Sequence, residues 1–410
     1  MNESPQAATP PRKTRVKPEI IILALLIAFP STGFVQKYAG LSGVAGYVAM
    51  VVALMVGIAF LEARFTPWMR RHFRVLATLS VAGLATGFVL LHPFEDRRGP
   101  GKSSDRDEGL ELAVTRLTHG QTPYYPSNTV AGPLSVLPGS VVLAAPFVAL
   151  GSSGYQNIFW LGAFLFGACH LFKDRALALC LLLVPLALSP AAQYEFISGG
   201  DLIANGVFAA ILILFAVESW SDHSSPAWQR WLACLLLGIG LASRANFILL
   251  APLFGGALWR MARARQALVA TSLVVLITAA ITLPFYLNDP AGFTPLLTRE
   301  KLAGADKALP WASTAMIGIT TLTAIVGGLM LMFHRKEITI ALFFRYCTIV
   351  TLAPMAYVIL LSTWVNGHPD FSFMRDRFGL MYLYFALLGW GGSWFQGSGI
   401  ASPTSKTLKL

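Results

Sequence analysis

Asp105, Asp107, Glu108 and Glu111 stand within seven consecutive residues of a 410-residue chain in which only 12% of residues are charged. A carboxylate held at a site can take the proton of a hydroxyl as its oxygen attacks, provided that geometry and pKa suit the task. Two further acids, Glu195 and Asp201, bracket the stretch EFISGGD, and the cations Arg244, Lys301, Arg375 and Arg377 sit in short polar breaks between apolar runs. A guanidinium fork matches phosphate oxygens, and a cation held near a departing phosphate offsets the negative charge that develops there. Proton acceptors together with cations therefore suit a group transfer with an anionic leaving group.

The elements that must position these groups can be read from spacing. Leu110, Ala113, Val114 and Leu117 recur at helical intervals, Asp107, Glu111 and Thr118 fall elsewhere around the helix, and Gly120 is a natural stop. This predicts a short amphipathic helix with its apolar stripe toward lipid or the rest of the protein. Part of the charge has a structural explanation: Asp105 can cap the helix, and Glu108, three residues on, can close a capping box. That explanation leaves Asp107 over.

The whole chain is 55% hydrophobic, with a mean hydropathy of +0.62, too apolar for a single soluble core. Long apolar runs approach the ~20 residues that cross a ~30 Å hydrocarbon layer as a helix. We read about twelve spans, at 18–36, 41–62, 75–92, 155–172, 175–190, 202–219, 229–243, 246–258, 267–287, 312–333, 338–363 and 377–395. The formal charge of +11 comes from Lys and Arg clustered between apolar runs, the positive-inside pattern rather than a nucleic-acid surface. Arg12, Lys13, Arg15 and Lys17 precede a first span that we expect to be retained. Segment 136–151 holds Pro138 and Pro146 and is short for a span. We read it as an interfacial or re-entrant helical piece, because a crossing would put Lys173 and Arg175 outside and Glu195 and Asp201 inside. The resulting division is a tail with three spans (1–92), a first outer loop (93–154), a bundle (155–395) and a cytoplasmic tail (396–410). Cys169, Cys180, Cys234 and Cys347 all lie in apolar runs and read as core thiols.

The run D-x-D, an amphipathic helix and G-x-x-P-Y (Asp105, Asp107, Gly120, Pro123 and Tyr124), followed by the Pro-rich GPLSVLPG, resembles the first outer loop of GT-C superfamily glycosyltransferases. Its nearest likeness is to the mannosyltransferases that use dolichol or polyprenyl phosphate mannose. The loop follows the third span rather than the first, and the second outer loop lacks a D-x-D, both departures from that family's pattern. The resemblance implies an all-α transmembrane bundle of GT-C type and an aspartate as catalytic base, Asp105 or Asp107, with Asp105 slightly favoured. It also implies substrate contacts from Glu108, Glu195, Asp201, Arg244, Asn246, Lys301, Arg375 and Arg377. Tyr124 and Tyr125 could stack on a sugar or anchor the membrane interface. No metal ligand is assigned; a divalent cation would suit hard carboxylate oxygens, but no ligand set is defined. The implied partners are a polyprenyl-phosphate-linked sugar, a glycan, lipid or protein acceptor, and membrane lipids, without nucleic acid, at a bacterial inner membrane with the site facing outward. The competing class is a transporter or lipid flippase, for which broken helices and mid-membrane charge would speak.

Overall fold

The computed structural model describes residues 17–96, 104–125, 133–297, 306 and 309–394. Among these residues the secondary structure is helical throughout. The chain opens with α1 (Pro18–Ala28), which passes through a 3-10 turn into α2 (Thr32–Arg71) and α3 (Phe73–Asp96). Two short helices follow, α4 (Arg106–Thr118) and α5 (Pro138–Ala149). The bundle continues with α6 (Tyr155–Phe172), α7 (Arg175–Leu188), α8 (Pro190–Ile197), α9 (Leu202–Ser221), α10 (Ala227–Leu241), α11 (Ala245–Ile248), α12 (Ala251–Met261) and α13 (Ala264–Asn288). It ends with α14 (Ala312–Met332), α15 (Ile340–Asn366) and α16 (Leu380–Trp390).

Among the described residues, six helical stretches are long and apolar enough to cross a membrane, or seven if the bent pair α7–α8 is one span. The other segments read as spans are helical too, but α10, α12 and α16, of 15, 11 and 11 residues, are short for a ~30 Å layer. Residues 18–71 pass as one stretch of 54 residues. The turn expected at 37–40 survives within it as a kink at Gly40, whose φ of 65° is non-helical.

Burial sorts the helices into a centre and a lipid-facing shell. Only Ile211, Phe215 and Glu218 of α9 are less than fully buried, and α16 is buried up to Trp390. A helix that is apolar all round and buried all round belongs at the centre. In contrast α3, α13 and α14 turn Leu79, Leu90, Leu276, Leu283, Leu322 and other large apolar side chains outward. Such continuous apolar exposure suits a hydrocarbon surround. Small residues allow close helix approach: a Cβ on Gly256 of α12 would lie 2.1 Å from the Gly328 carbonyl oxygen of α14.

Alternate helix ends gather into two polar surfaces. At one, Arg70 Nε donates to Asp174 Oδ1 at 3.2 Å, His170 meets Glu218 at 3.1 Å, and Arg260 Nε donates to the His334 carbonyl at 3.3 Å. The other holds Asp107, Glu195, Asp201 and Arg244. Helix α5 belongs wholly to this second end. On one flank the Leu137 and Gly139 amides donate to the carbonyls of Ser243 and Ala242 at 2.9 and 2.7 Å. Beyond its other flank the Ser153 amide donates to Glu111 Oε1 at 2.8 Å.

Candidate functional site

Helix α4 docks onto a small separate core made with α5 and the loops around it. Leu110, Ala113 and Val114 are buried there against Tyr124, Leu137 and Val141. Each large apolar side chain so buried contributes roughly 1.5–3 kcal/mol, which fixes the rotation of α4 about its axis. Asp107 lies three residues before Leu110 and seven before Val114, so the same rotation carries it inward. It is buried, while Asp105 is exposed. This corrects the reading that set Asp107 apart from the apolar stripe. Asp105 does occupy the N-cap position, but its side chain makes no capping hydrogen bond.

The turn between α8 and α9 meets α4 from the opposite side. Its backbone is shaped by two glycines. Gly199 has φ +69°, and a Cβ there would come within 3.0 Å of Asp107 Oδ2 and 3.1 Å of His92 Cε1. At Gly200 a Cβ would lie 2.3 Å from Glu195 Oε1. Asn157 clamps the turn, donating to the Gly200 carbonyl at 2.8 Å and accepting from the Ala204 amide at 3.1 Å.

Within this frame two of the acids are neutralised. Asp201 Oδ2 accepts from Arg244 Nη2 and, at 2.6 Å, from Asn205; Arg106 stands 3.8 Å from Oδ1. Burial pushes the Asp201 carboxyl up, but Arg244 and Arg106 outweigh it and hold it below the usual carboxylate range. Glu195 accepts from Arg377 Nε at 2.5 Å and from the Leu202 amide at 2.9 Å. Arg377 also donates to Ser104 at 3.1 Å and lies over the Tyr194 ring.

Asp107 is different. Its ionic contact among the described residues is with the His92 imidazole rather than a guanidinium, Nε2 lying 3.6 Å from Oδ2, and its Oδ1, like that of Asp201, has no hydrogen-bond partner there. Burial pushes its carboxyl up to about 7; its own amide and that of Glu108 oppose the rise, and the charges of Glu111 and Glu108 add to it. A carboxyl poised near neutrality, buried and without a guanidinium partner among the described residues, has the properties of a general base.

Several other expected contacts resolve differently. The Arg244 fork is directed at Asp201, with Nη1 on Ser135 at 3.3 Å. It is thus a structural partner of that acid rather than an open phosphate seat. Arg375 is exposed, while Arg377 turns away from the neighbouring Asp376 toward Glu195. Tyr124 packs against Phe293 and Phe285, and Tyr125 is buried with its hydroxyl unpartnered; both belong to the core beneath α4. Glu108 is half-buried on α4, and Asn246 is half-buried on α11. Lys301 lies outside the described residues. No three His, Cys, Asp or Glu side chains converge as a metal set among the described residues.

His92, Arg106 and Tyr194 are members of this cluster that sequence reasoning passed over. Arg106 donates to the Asp376 carbonyl at 3.1 Å and lies over Phe378, so it bridges α4, Asp201 and the turn before α16. Its place between the two aspartates in D-R-D was a usable signal; His92, at the end of an apolar run, offered none. No family model matches the chain, and no curated protein or solved structure does either.

Proposed function

We propose that the chain is an integral membrane glycosyltransferase that moves a sugar from a polyprenyl-phosphate donor to an acceptor hydroxyl, with Asp107 as the general base. The observation that carries this reading is the contrast among the buried acids. Among the described residues Asp201 and Glu195 each hold a guanidinium, whereas Asp107 is buried without one. In the reaction the acceptor oxygen forms a bond to the anomeric carbon as its proton passes to Asp107. The bond from that carbon to the phosphate oxygen breaks, and its electron pair leaves with the lipid phosphate. A phosphate is a good leaving group, so a cation is more useful than an acid; Arg106, whose contact with Asp201 is the longer of that acid's two ionic contacts, suits this role. The basic end, with Arg70, Arg175, Arg260 and Arg335, is cytoplasmic by the positive-inside rule. The carboxylate end then faces the outer side, the periplasm if the host membrane is a bacterial inner one.

Transfer of radiolabelled sugar from polyprenyl-phosphate donors in proteoliposomes tests the proposal. Wild type should transfer and Asp107→Asn should not; equal rates would remove Asp107 from the mechanism.

A second reading, transport, is favoured by one observation: α7 and α8 form a single apolar stretch bent by 91° at Ser189–Pro190. Broken helices line many translocation paths. Movement of a fluorescent polyprenyl-phosphate lipid across the same vesicles, in the absence of acceptor, would support it over catalysis.

A further inference from the structure

We propose that His92 and Asp107 form a proton-relay pair, in which His92 Nε2 takes over the proton that Asp107 removes from the substrate. This deepens the reading of Asp107 as a base and rests on it for the substrate.

Three features of the fold position the imidazole for the task. Its Nδ1 lies 3.1 Å from the Ile197 carbonyl oxygen. A carbonyl can only accept, so Nδ1 carries the hydrogen and Nε2 presents its lone pair toward Asp107. The ring stacks on Phe88, centroids 4.7 Å apart and planes 14° from parallel, which restricts its tilt. Gly199 then leaves room for both partners, since any side chain at that position would press on Asp107 Oδ2 and His92 Cε1 together. The gap of 3.6 Å between Nε2 and Oδ2 is slightly beyond a hydrogen bond, and a small rotation of either group closes it; catalytic contacts often tighten only on substrate binding.

Among the described residues, most charged groups around the pair have partners of their own. On its own helix Asp107 has Glu108 and Glu111 nearby, and Glu111 is engaged by the Ser153 amide. Arg106 is turned to Asp201 and the Asp376 carbonyl. From the α8–α9 side, Glu195 is held by Arg377 and Asp201 by Arg244. Among the ionic contacts of Asp107 within the described residues, the imidazole is the group that can accept its proton. The step is balanced: the hydroxyl proton goes to the Asp107 carboxylate, then to Nε2, giving an imidazolium whose Nδ1–H still donates to Ile197. Release of one proton to water resets the pair.

The test is infrared titration of the purified protein in nanodiscs, following the protonated carboxyl C=O band that disappears in Asp107→Asn. In His92→Gln, which keeps a polar side chain of similar reach, no imidazolium can form as the proton leaves Asp107, so the carboxylate loses that stabilisation. The band should then persist to higher pH, with its midpoint up by about one unit, a tenfold change in proton affinity. An unchanged midpoint in His92→Gln and also in His92→Asn would overturn the relay. Thermal unfolding of both variants, compared with wild type, identifies a variant whose fold is lost, and the other variant then decides. The infrared readout needs no turnover. A shifted band with no sugar transfer by wild type would leave the pair standing and remove the glycosyltransferase reading; transfer with an unshifted band would do the reverse.

Discussion

Asp201 and Asp107 lie at the same end of the bundle, both buried, and the protein treats them oppositely. Asp201 sits between Arg244 and Arg106 and also accepts from Asn205; Asp107 faces the His92 imidazole and has no guanidinium partner among the described residues, where each acid keeps one oxygen without a hydrogen-bond partner. Burial alone raises the pKa of any carboxyl, and a nearby guanidinium reverses that rise. The first aspartate is therefore held ionised and serves structure, locking the α8–α9 turn to α10. The second is left near its titration point, where a small change in surroundings changes its charge. What separates the two acids among the described residues is the supply of cations, not depth.

The largest effect that would sharpen this contrast is on catalysis. Asp107→Asn keeps shape and removes the base, and sugar transfer should fall by about 10²–10⁴-fold, measured as initial rate in proteoliposomes with saturating donor. Arg244→Ala should act on folding instead. It strands Asp201 as a buried charge, which costs about 3–5 kcal/mol, so thermal unfolding in detergent should move far down. A double variant, Arg244→Ala with Asp201→Ala, should recover much of that loss, because no lone charge remains. If the double variant is no more stable than the single, the pair is not the source of the cost.

The pH dependence of stability gives a gentler test. Folded Asp107 binds its proton more tightly than the unfolded chain, so its burial is tolerated at pH 4 and becomes a penalty as pH rises through about 7. The melting temperature of Asp107→Asn relative to wild type should therefore climb between pH 4 and 7 and level off above. A flat difference across that range would mean that Asp107 is not raised. The smallest effect belongs to Asp105. Exposed and outside the apolar stripe, its change to Asn should alter transfer by less than about twofold, in keeping with a surface substitution. A loss as large as that of Asp107→Asn would reverse the roles of the two residues.

Much of this arrangement can be seen in local spacing, and the parts that cannot are instructive. The helix over Tyr155–Phe172 and the start of the helix at Arg175 fall where apolar runs and the polar break around Lys173 indicate, because a hydrophobic run between polar breaks is a local property. The apolar face of α4 was equally legible. Counting from Leu110 back to Asp107 would have assigned the inward aspartate from sequence alone, since residues three and seven apart share a helix face. Emphasis on Asp105 came from capping preference, which identifies a position along the chain and not a direction around the helix.

Sequence by itself determined that this is an apolar, helical chain with most of its charge confined to the breaks, and that acids and cations alternate across those breaks. Hydrophobic content and helical period are enough for that, because they act within a few turns. Tertiary structure decided which acid meets which cation: Glu195 with Arg377, 182 positions apart, and Asp201 with Arg244, 43 apart. Such pairings depend on how whole helices cross, and a one-residue change in rotation would redirect every fork. It also decided that the two glycines before Asp201 leave space for Glu195 and for the His92–Asp107 contact, a steric fact with no local signature beyond the glycines themselves. That Asp107 has no guanidinium among the described residues emerged only after those of Glu195 and Asp201 had been allotted, for the physical reason that a charge balance is a sum over neighbours that only the fold defines.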